Sequence, residues 1–121
     1  IHIINICAIV NNMDIFYLRK SPRKDKKWLL EMPSFSHKHT FGASGYRDYT
    51  LINDNRSRFY ISDREEREKI KKAYRARHKN DNIDSVHSPG AMSWHILWSE
   101  PTLEGGIRAY EKRFGVKVIR K

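Results

Sequence analysis

The first half of the chain alternates short apolar runs with segments of turn-forming residues. Aliphatic, β-branched and aromatic side chains dominate residues 15–19, 28–32 and 39–43. Serine, proline and charged residues separate these runs at residues 21–25 and 33–36. Short apolar runs bounded by such breakers are typical of strands. The pattern predicts a small antiparallel sheet of about three short strands.

The spacing becomes helical in the second half. Ser62, with Glu65 three residues later, has the pattern of a capping box, in which hydroxyl and carboxylate each accept from a backbone amide. A helix is therefore predicted from Ser62 to about His78. Its apolar stripe is narrow, so most of the helix should face water. The stripe consists of Ile70, Ala73 and Tyr74.

Two further helices are predicted towards the end of the chain. A short helix over residues 91–98 ends ahead of Pro101, and Thr102 caps the next one. Gly115 is expected in the left-handed conformation that ends a helix, and residues 116–119 fit a terminal strand. The helices should pack through Trp94, Trp98, Leu103, Ile107, Tyr110 and Phe114.

These elements describe a single basic α+β domain over residues 13–121, with a small antiparallel sheet followed by three helices. A chain of 121 residues has room for one modest core. Residues 1–12 differ, since they are rich in isoleucine and contain no Lys, Arg, Asp or Glu. Two interpretations fit them: a non-native extension ahead of a natural start at Met13, or a strand-like extension with a buried strand at residues 3–10.

Positive charge is the main clue to function. Lys and Arg number 24 against 14 Asp and Glu, giving a formal net charge of +10, and both halves of the chain carry the excess. The folded body, rather than a tail, should then attract phosphates or other anionic surfaces. The alternative is a charge that serves solubility.

We predict sequence-independent phosphate contacts from a basic loop, from two arginines beyond it and from the long helix. The candidate nucleic-acid-binding residues are Arg19, Lys20, Arg23, Lys24, Lys26, Lys27, Arg56, Arg58, Arg64, Arg67, Lys71, Arg75, Arg77, His78 and Lys79. Aromatic side chains near these cations could stack on exposed bases or fill the core. They are Tyr17, Tyr46, Tyr49, Phe59 and Tyr60.

The spacing of reactive residues does not favour catalysis. A single cysteine, Cys7, cannot form an internal disulfide, and the six histidines lack the spacing of a zinc site. Gly42 and Gly45 are interpreted as turn residues after a strand. We therefore expect a non-enzymatic protein without metal or cofactor, and a metal-dependent nuclease is kept as an alternative. Its candidate carboxylates, which show no converging pattern, are Asp48, Asp54, Asp63, Glu100 and Glu104.

Three segments of the sequence resemble a known protein family, which composition alone could not indicate. Residues 39–50 read HTFGASGYRDYT, residues 75–79 read RARHK, and residues 92–103 read MSWHILWSEPTL. In this order they resemble a family of small uncharacterised proteins encoded by large DNA viruses of algae and amoebae, across roughly residues 15–115. The resemblance implies a viral source and supplies no catalytic residues. The chain departs from the family pattern by extra residues around 53–63.

The sequence thus predicts a viral protein that binds nucleic acid without sequence specificity. The alternative is a minor structural protein of the virus particle, in which cations pair with acidic patches on coat subunits. The expected location is the cytoplasm or the virus factory of the infected host cell, with the virion as an additional location, and secretion is not expected. Residues 1–10 are too short for a membrane-spanning helix, so no membrane partner is expected. The oligomeric state is left open.

Overall fold

The computed structural model describes residues 13–121, so Cys7 and both interpretations of residues 1–12 lie outside the described residues. The strands are β1 (Ile15–Lys20), β2 (Lys26–Met32), β3 (His37–Ala43) and β4 (Lys117–Arg120). The helices are α1 (Tyr49–Ile52), α2 (Arg64–His78), α3 (Pro89–Met92) and α4 (Leu103–Phe114). A 3-10 turn (Pro33–Phe35) joins β2 to β3, and a π-helical turn (Ser93–Leu97) continues α3. The predicted α+β class is confirmed.

The four strands form one mixed sheet in the order β3-β2-β1-β4. The three predicted strands are confirmed and pair antiparallel, with Leu18 opposite Leu30. The predicted terminal strand also forms, as β4, and it runs parallel to β1 with Phe16 opposite Val118. The sheet is therefore wider than a three-stranded meander and is not purely antiparallel.

The core lies between the helices and one face of the sheet. Because successive side chains of a strand point to opposite faces, Phe16 and Leu18 both face inward and are at most 1% exposed. Tyr110 on α4 and Ile96 on the π-helical turn meet them from the helical side and are fully buried. Across residues 13–121, no helix has the length and apolar character that crossing a bilayer requires.

Helix α2 begins one residue later than the capping box predicted. Asp63, in an extended conformation, is the N-cap, and its carboxylate accepts from the Glu65 amide at 3.0 Å. A charged carboxylate satisfies a free amide and also interacts favourably with the positive end of the helix dipole. The predicted end at His78 is confirmed. Ile70 and Tyr74 are buried as predicted, whereas Ala73 is exposed, so the apolar stripe is narrower still.

The helical segment before Pro101 begins two residues earlier than predicted. Ser88 accepts from the amides of Gly90 and Ala91, and Pro89 occupies the first helical position, where its missing N–H removes no hydrogen bond. From Ser93 to Leu97 the winding loosens into the π-helical turn. The segment then ends one residue before the predicted Trp98.

Both predicted ends of α4 are confirmed. Thr102 accepts from the Gly105 amide at 3.0 Å, and Gly115 is left-handed with a φ of 64°. Between them, Gly106 permits a close approach between α4 and the π-helical turn. A Cβ at this position would lie 1.9 Å from the carbonyl oxygen of Ile96. Only glycine lets α4 lie directly against the π-helical turn.

Two histidines are held in surroundings that favour the neutral ring. Nε2 of His95 lies 3.0 Å from the Ile83 carbonyl, and its ring meets Phe114 edge-on. Burial lowers the pKa of His95, and the hydrogen bond to Ile83 opposes that shift only in part. Burial also lowers the pKa of His39, with His37 and His87 as further causes. In the folded protein both rings therefore take up a proton less readily than in the unfolded chain.

The protein should lose stability on acidification through the ordinary imidazole pKa of about 6.5. Below that pH the unfolded chain binds more protons than the folded one, so the free energy of unfolding falls as the pH falls. Replacing His95 by glutamine removes one titrating ring and keeps a donor for Ile83. Urea titrations at pH 7 and pH 5 should show that the free energy of unfolding falls less between these pH values for His95→Gln than for the parent. An equal or larger loss in the variant would contradict this account.

Candidate functional site

The turn that follows β3 presents two side chains on an anchored backbone. Gly45 has a φ of 82°, which only glycine adopts easily, and this confirms its predicted place in a turn. Gly42 instead lies within β3, at a φ of 76°, where a Cβ would be 2.8 Å from a side-chain carbon of Leu97. Beyond these glycines, the side chains of Tyr46 and Arg47 are both exposed, and Tyr46 retains 70% of its accessible surface.

A buried ion pair fixes this turn to the sheet. Nζ of Lys27 donates to the Tyr46 carbonyl at 2.7 Å and to the Asp48 carboxylate at 2.8 Å. Asp48 is 2% exposed and also caps α1 by accepting from the Leu51 amide at 3.0 Å. On the other side of the turn, the Ser44 amide donates to the Asp25 carbonyl at 3.0 Å. The backbone that carries Tyr46 is therefore held at both ends.

Stacked aromatic rings connect the turn region to α2. The Tyr74 and Trp98 rings are nearly parallel, with centroids 4.0 Å apart, and His78 stacks on the other side of Tyr74 at 4.2 Å. Burial raises the pKa of Tyr74 to about 12, with the negative charge of Asp81 as a further cause. The Tyr74 phenol is therefore neutral at physiological pH, and the three rings form a continuous stack.

Two adjoining depressions open between the turn and α2, with volumes of about 400 and 360 Å³. Both are lined by Tyr46, Arg47, Arg77 and Trp98, and we call the pair the arginine cleft. The first depression adds Lys26, Lys27, Phe41, Asp48, Tyr74, His78, Asp81 and Leu97. The second adds Glu66, Lys69, Ile70 and Ala73. All three strings that carry the resemblance noted in the sequence contribute side chains to this cleft.

The arginine cleft carries excess positive charge. Of its three acids, Asp48 forms an ion pair with Lys27, whereas Asp81 contacts the imidazole ring of His78 at 2.7 Å. Glu66 is the remaining carboxylate. Within residues 13–121, no acidic group lies within ion-pair distance of four cations of the cleft. These are Lys26, Arg47, Lys69 and Arg77.

A larger depression, of about 1140 Å³, lies on the other side of the Lys27–Asp48 pair and is less suited to anions. Three of its four cations have carboxylate partners: Lys27 with Asp48 at 2.8 Å, Arg120 with Glu104 at 2.8 Å, and Arg56 with Asp54 at 3.2 Å. Lys20 is the fourth. Volume alone would favour this depression, but the arginine cleft has the uncompensated charge that an anion would meet.

The structure brings together only some of the predicted nucleic-acid-binding residues. Lys26, Lys27, Arg77 and His78 line the arginine cleft, and Lys20 and Arg56 line the larger depression. Arg64 lies in a shallow depression beside the acidic first turn of α2. Ion pairs engage Arg19 with Glu31 at 2.6 Å and Arg23 with Asp25 at 2.8 Å. Lys24, Arg58 and Lys79 are exposed, with the Arg58 guanidinium 4.7 Å from the Phe59 ring centroid.

Three predicted residues on α2 support the fold through their own contacts. Arg67 donates to the Ile61 carbonyl at 2.6 Å. Lys71 donates to the Ser99 carbonyl at 2.7 Å and lies over the Tyr49 ring, while the Arg75 guanidinium lies over Trp94. Burial lowers the pKa of Lys71, with the charge of Arg75 as a second cause. These cations help to join α2 to its neighbours.

Sequence reasoning missed three cleft residues as candidates for binding. Arg47 and Lys69 are not among the predicted binding residues, and Trp98 is predicted only as a core residue. Trp98 is indeed 7% exposed, yet it lines both depressions. The available signal was the pair of glycines that precede Tyr46 and Arg47, since such glycines commonly place the next residues at an exposed turn.

Among residues 13–121, no group of three or more His, Cys, Asp or Glu side chains has the arrangement of a metal site. His37, His39 and His87 come near one another, with ring centroids 6.0 Å apart for His37 and His39 and 5.3 Å for His37 and His87. They do not converge on a common point that a cation could occupy. The carboxylates that a metal-dependent nuclease would need are likewise not gathered in this part of the chain.

Comparison with protein families gives a match over part of the chain. The model of a family described as "Family of unknown function (DUF5754)" matches residues 17–65, which is less than half of the chain. The chain is thus similar to an uncharacterised family over β1 to β3, the Tyr46 turn and α1. The resemblance strings at residues 75–79 and 92–103 lie outside the match. Neither a curated protein nor a solved structure matches the chain.

Proposed function

We propose that this protein binds nucleic acid without sequence specificity, through phosphate contacts at the arginine cleft. The observation that carries the proposal is the cleft's four cations without a carboxylate partner among the described residues. Because they surround a concave surface, their fields add where a phosphate would sit. Contacts between cations and phosphates do not depend on base identity, so the binding should be sequence-independent.

The salt dependence of binding tests this proposal. Each phosphate contact releases condensed counterions, so the logarithm of the affinity for duplex DNA should fall with the logarithm of salt concentration with a slope of roughly −3 to −4 for four contacts. Fluorescence anisotropy with a labelled duplex, titrated at several salt concentrations, measures the slope. Two unrelated sequences of equal length should give the same values. A flat response, or strong discrimination between sequences, would refute the proposal.

A second candidate is a minor structural protein of a virus particle, which keeps the viral source that the sequence resemblance implies. Ile15 on β1 and Ile119 on β4 support it, since they are 43% and 39% exposed on neighbouring strands. The register places both on the outward face of the sheet, opposite the core. Exposed apolar side chains on one face of a sheet suit an assembly surface. Recovery of the protein with the shell of disrupted particles, rather than with the genome, would favour this candidate.

A further inference from the structure

We infer that the arginine cleft prefers single-stranded nucleic acid, with an unpaired base stacked on the ring of Tyr46. This inference rests on the proposed function and specifies its ligand. Phosphate contacts do not account for one feature of the cleft, which is a large aromatic ring in contact with water. Among the large hydrophobic side chains of the described residues, Tyr46 is the most exposed, at 70%.

Three of the other four candidate aromatic residues have partners within the fold, and the fourth, Tyr60, lines the larger depression rather than the cleft. Tyr49 is 7% exposed, and its hydroxyl donates to Glu68 at 2.9 Å. Phe59 packs against the core. Tyr17 is half-buried beneath the ammonium group of Lys121, whose nitrogen lies 4.3 Å from the ring centroid. Tyr46 therefore has the free ring surface within the cleft that a base could cover.

The backbone of Tyr46 is organised before any ligand arrives. Lys27 holds its carbonyl at 2.7 Å, and the Lys27 ammonium is itself fixed by the buried Asp48. The preceding Ser44 is tied to the β1–β2 loop through the Asp25 carbonyl. A site that is ordered in advance loses less conformational entropy on binding, so stacking on this ring should contribute directly to affinity.

The surroundings of the ring suit a nucleotide. Tyr46 and Arg47 lie between the depressions of about 400 and 360 Å³, each within the size range of small-ligand pockets. Lys26 lines one depression, Lys69 lines the other, and Arg77 lines both. A chain whose phosphates meet these cations can turn one base onto the phenol ring. Aromatic rings beside a basic groove are the usual means of binding single strands without sequence preference.

A duplex cannot use the ring in the same way. Its bases are paired and stacked on one another, so an intact duplex offers the cleft its phosphates alone unless base pairs open. The phosphate contacts are then shared by both forms, and the stacking contact belongs to the single strand. Tyr46 should thus account for a preference between the two forms, while the four cations account for affinity towards both.

The test compares one short mixed-sequence oligodeoxynucleotide, free and annealed to its complement, by fluorescence anisotropy. Tyr46→Ala should weaken binding of the single strand roughly 5- to 150-fold, the range that corresponds to the loss of a base–aromatic stack, and leave binding of the duplex unchanged. Tyr46→Phe keeps the ring and should bind like the parent. Tyr60→Ala is the matched control, because Tyr60 is also exposed, at 41%, but lines the larger depression.

The outcomes separate this inference from the proposed function. Suppose the parent shows a steep salt slope, but Tyr46→Ala either binds like the parent or loses the same affinity for the single strand and for the duplex. That result would overturn single-strand stacking and leave the proposed phosphate binding intact. A flat salt response of the parent would remove the proposed function itself. A loss confined to the single strand, rescued by phenylalanine, would support both.

Discussion

Replacing Arg47 and Arg77 together by glutamine is expected to weaken nucleic-acid binding roughly 50-fold at about 0.1 M monovalent salt. Each phosphate contact contributes about 0.9 to the salt slope, so the variant should also lower the slope for duplex DNA by about 2. The two residues line both depressions of the arginine cleft, and their loss removes half of its cations that lack a carboxylate partner in the described chain. Anisotropy titrations over a range of salt concentrations measure both quantities.

Stability should be unaffected by this double change. Both side chains are exposed, and neither forms an ion pair within residues 13–121. The matched control replaces Arg108 and Lys112 by glutamine, which removes the same charge from the exposed side of α4. If affinity depends on location, the control should bind nearly as well as the parent. If the control lost as much affinity as the Arg47 and Arg77 double variant, net charge rather than the cleft would govern binding.

Local signals were sufficient to predict most of the fold. Short apolar runs bounded by turn-forming residues identified β1 to β3, and a side-chain cap at Thr102 with a glycine at Gly115 identified both ends of α4. Helix α1 was missed because four residues carry no usable periodicity. It forms because Asp48 caps it, and Asp48 is buried there because Lys27, 21 residues earlier, compensates its charge. A dependence between distant residues is not visible in local spacing.

The sequence predicted a basic binding surface, but it did not predict which residues would form it. Composition predicted a basic protein, and that property does not depend on the fold. Which cations remain available depends on tertiary contacts that local sequence does not reveal. Lys71 reaches the Ser99 carbonyl 28 residues away, and Arg75 lies over Trp94, while Arg47 and Lys69 keep no carboxylate partner in the described chain. Charge density along the sequence therefore does not separate the α2 cations that line the cleft, Lys69 and Arg77, from those that contact the rest of the fold.

Replacing Asp48 by alanine is expected to lower the free energy of unfolding by about 3 to 5 kcal/mol, the usual cost of leaving one member of a buried ion pair alone. The side chains of Lys27 and Asp48 are 16% and 3% exposed, so water can replace the lost carboxylate only in part. The change also removes the N-cap of α1 and the acceptor for the Thr50 hydroxyl. Urea denaturation followed by tryptophan fluorescence measures the loss.

Two further variants divide this effect between charge and capping. Asp48→Asn keeps a cap acceptor for the Leu51 amide, so it should cost less than Asp48→Ala. Adding Lys27→Met to Asp48→Asn removes the stranded ammonium and should recover part of the stability. Asp25→Ala is the control, because its pair with Arg23 is exposed on both sides and its loss should leave stability unchanged. If Asp48→Ala were as mild as Asp25→Ala, the Lys27–Asp48 pair would behave as a surface pair and would not hold the turn that carries Tyr46.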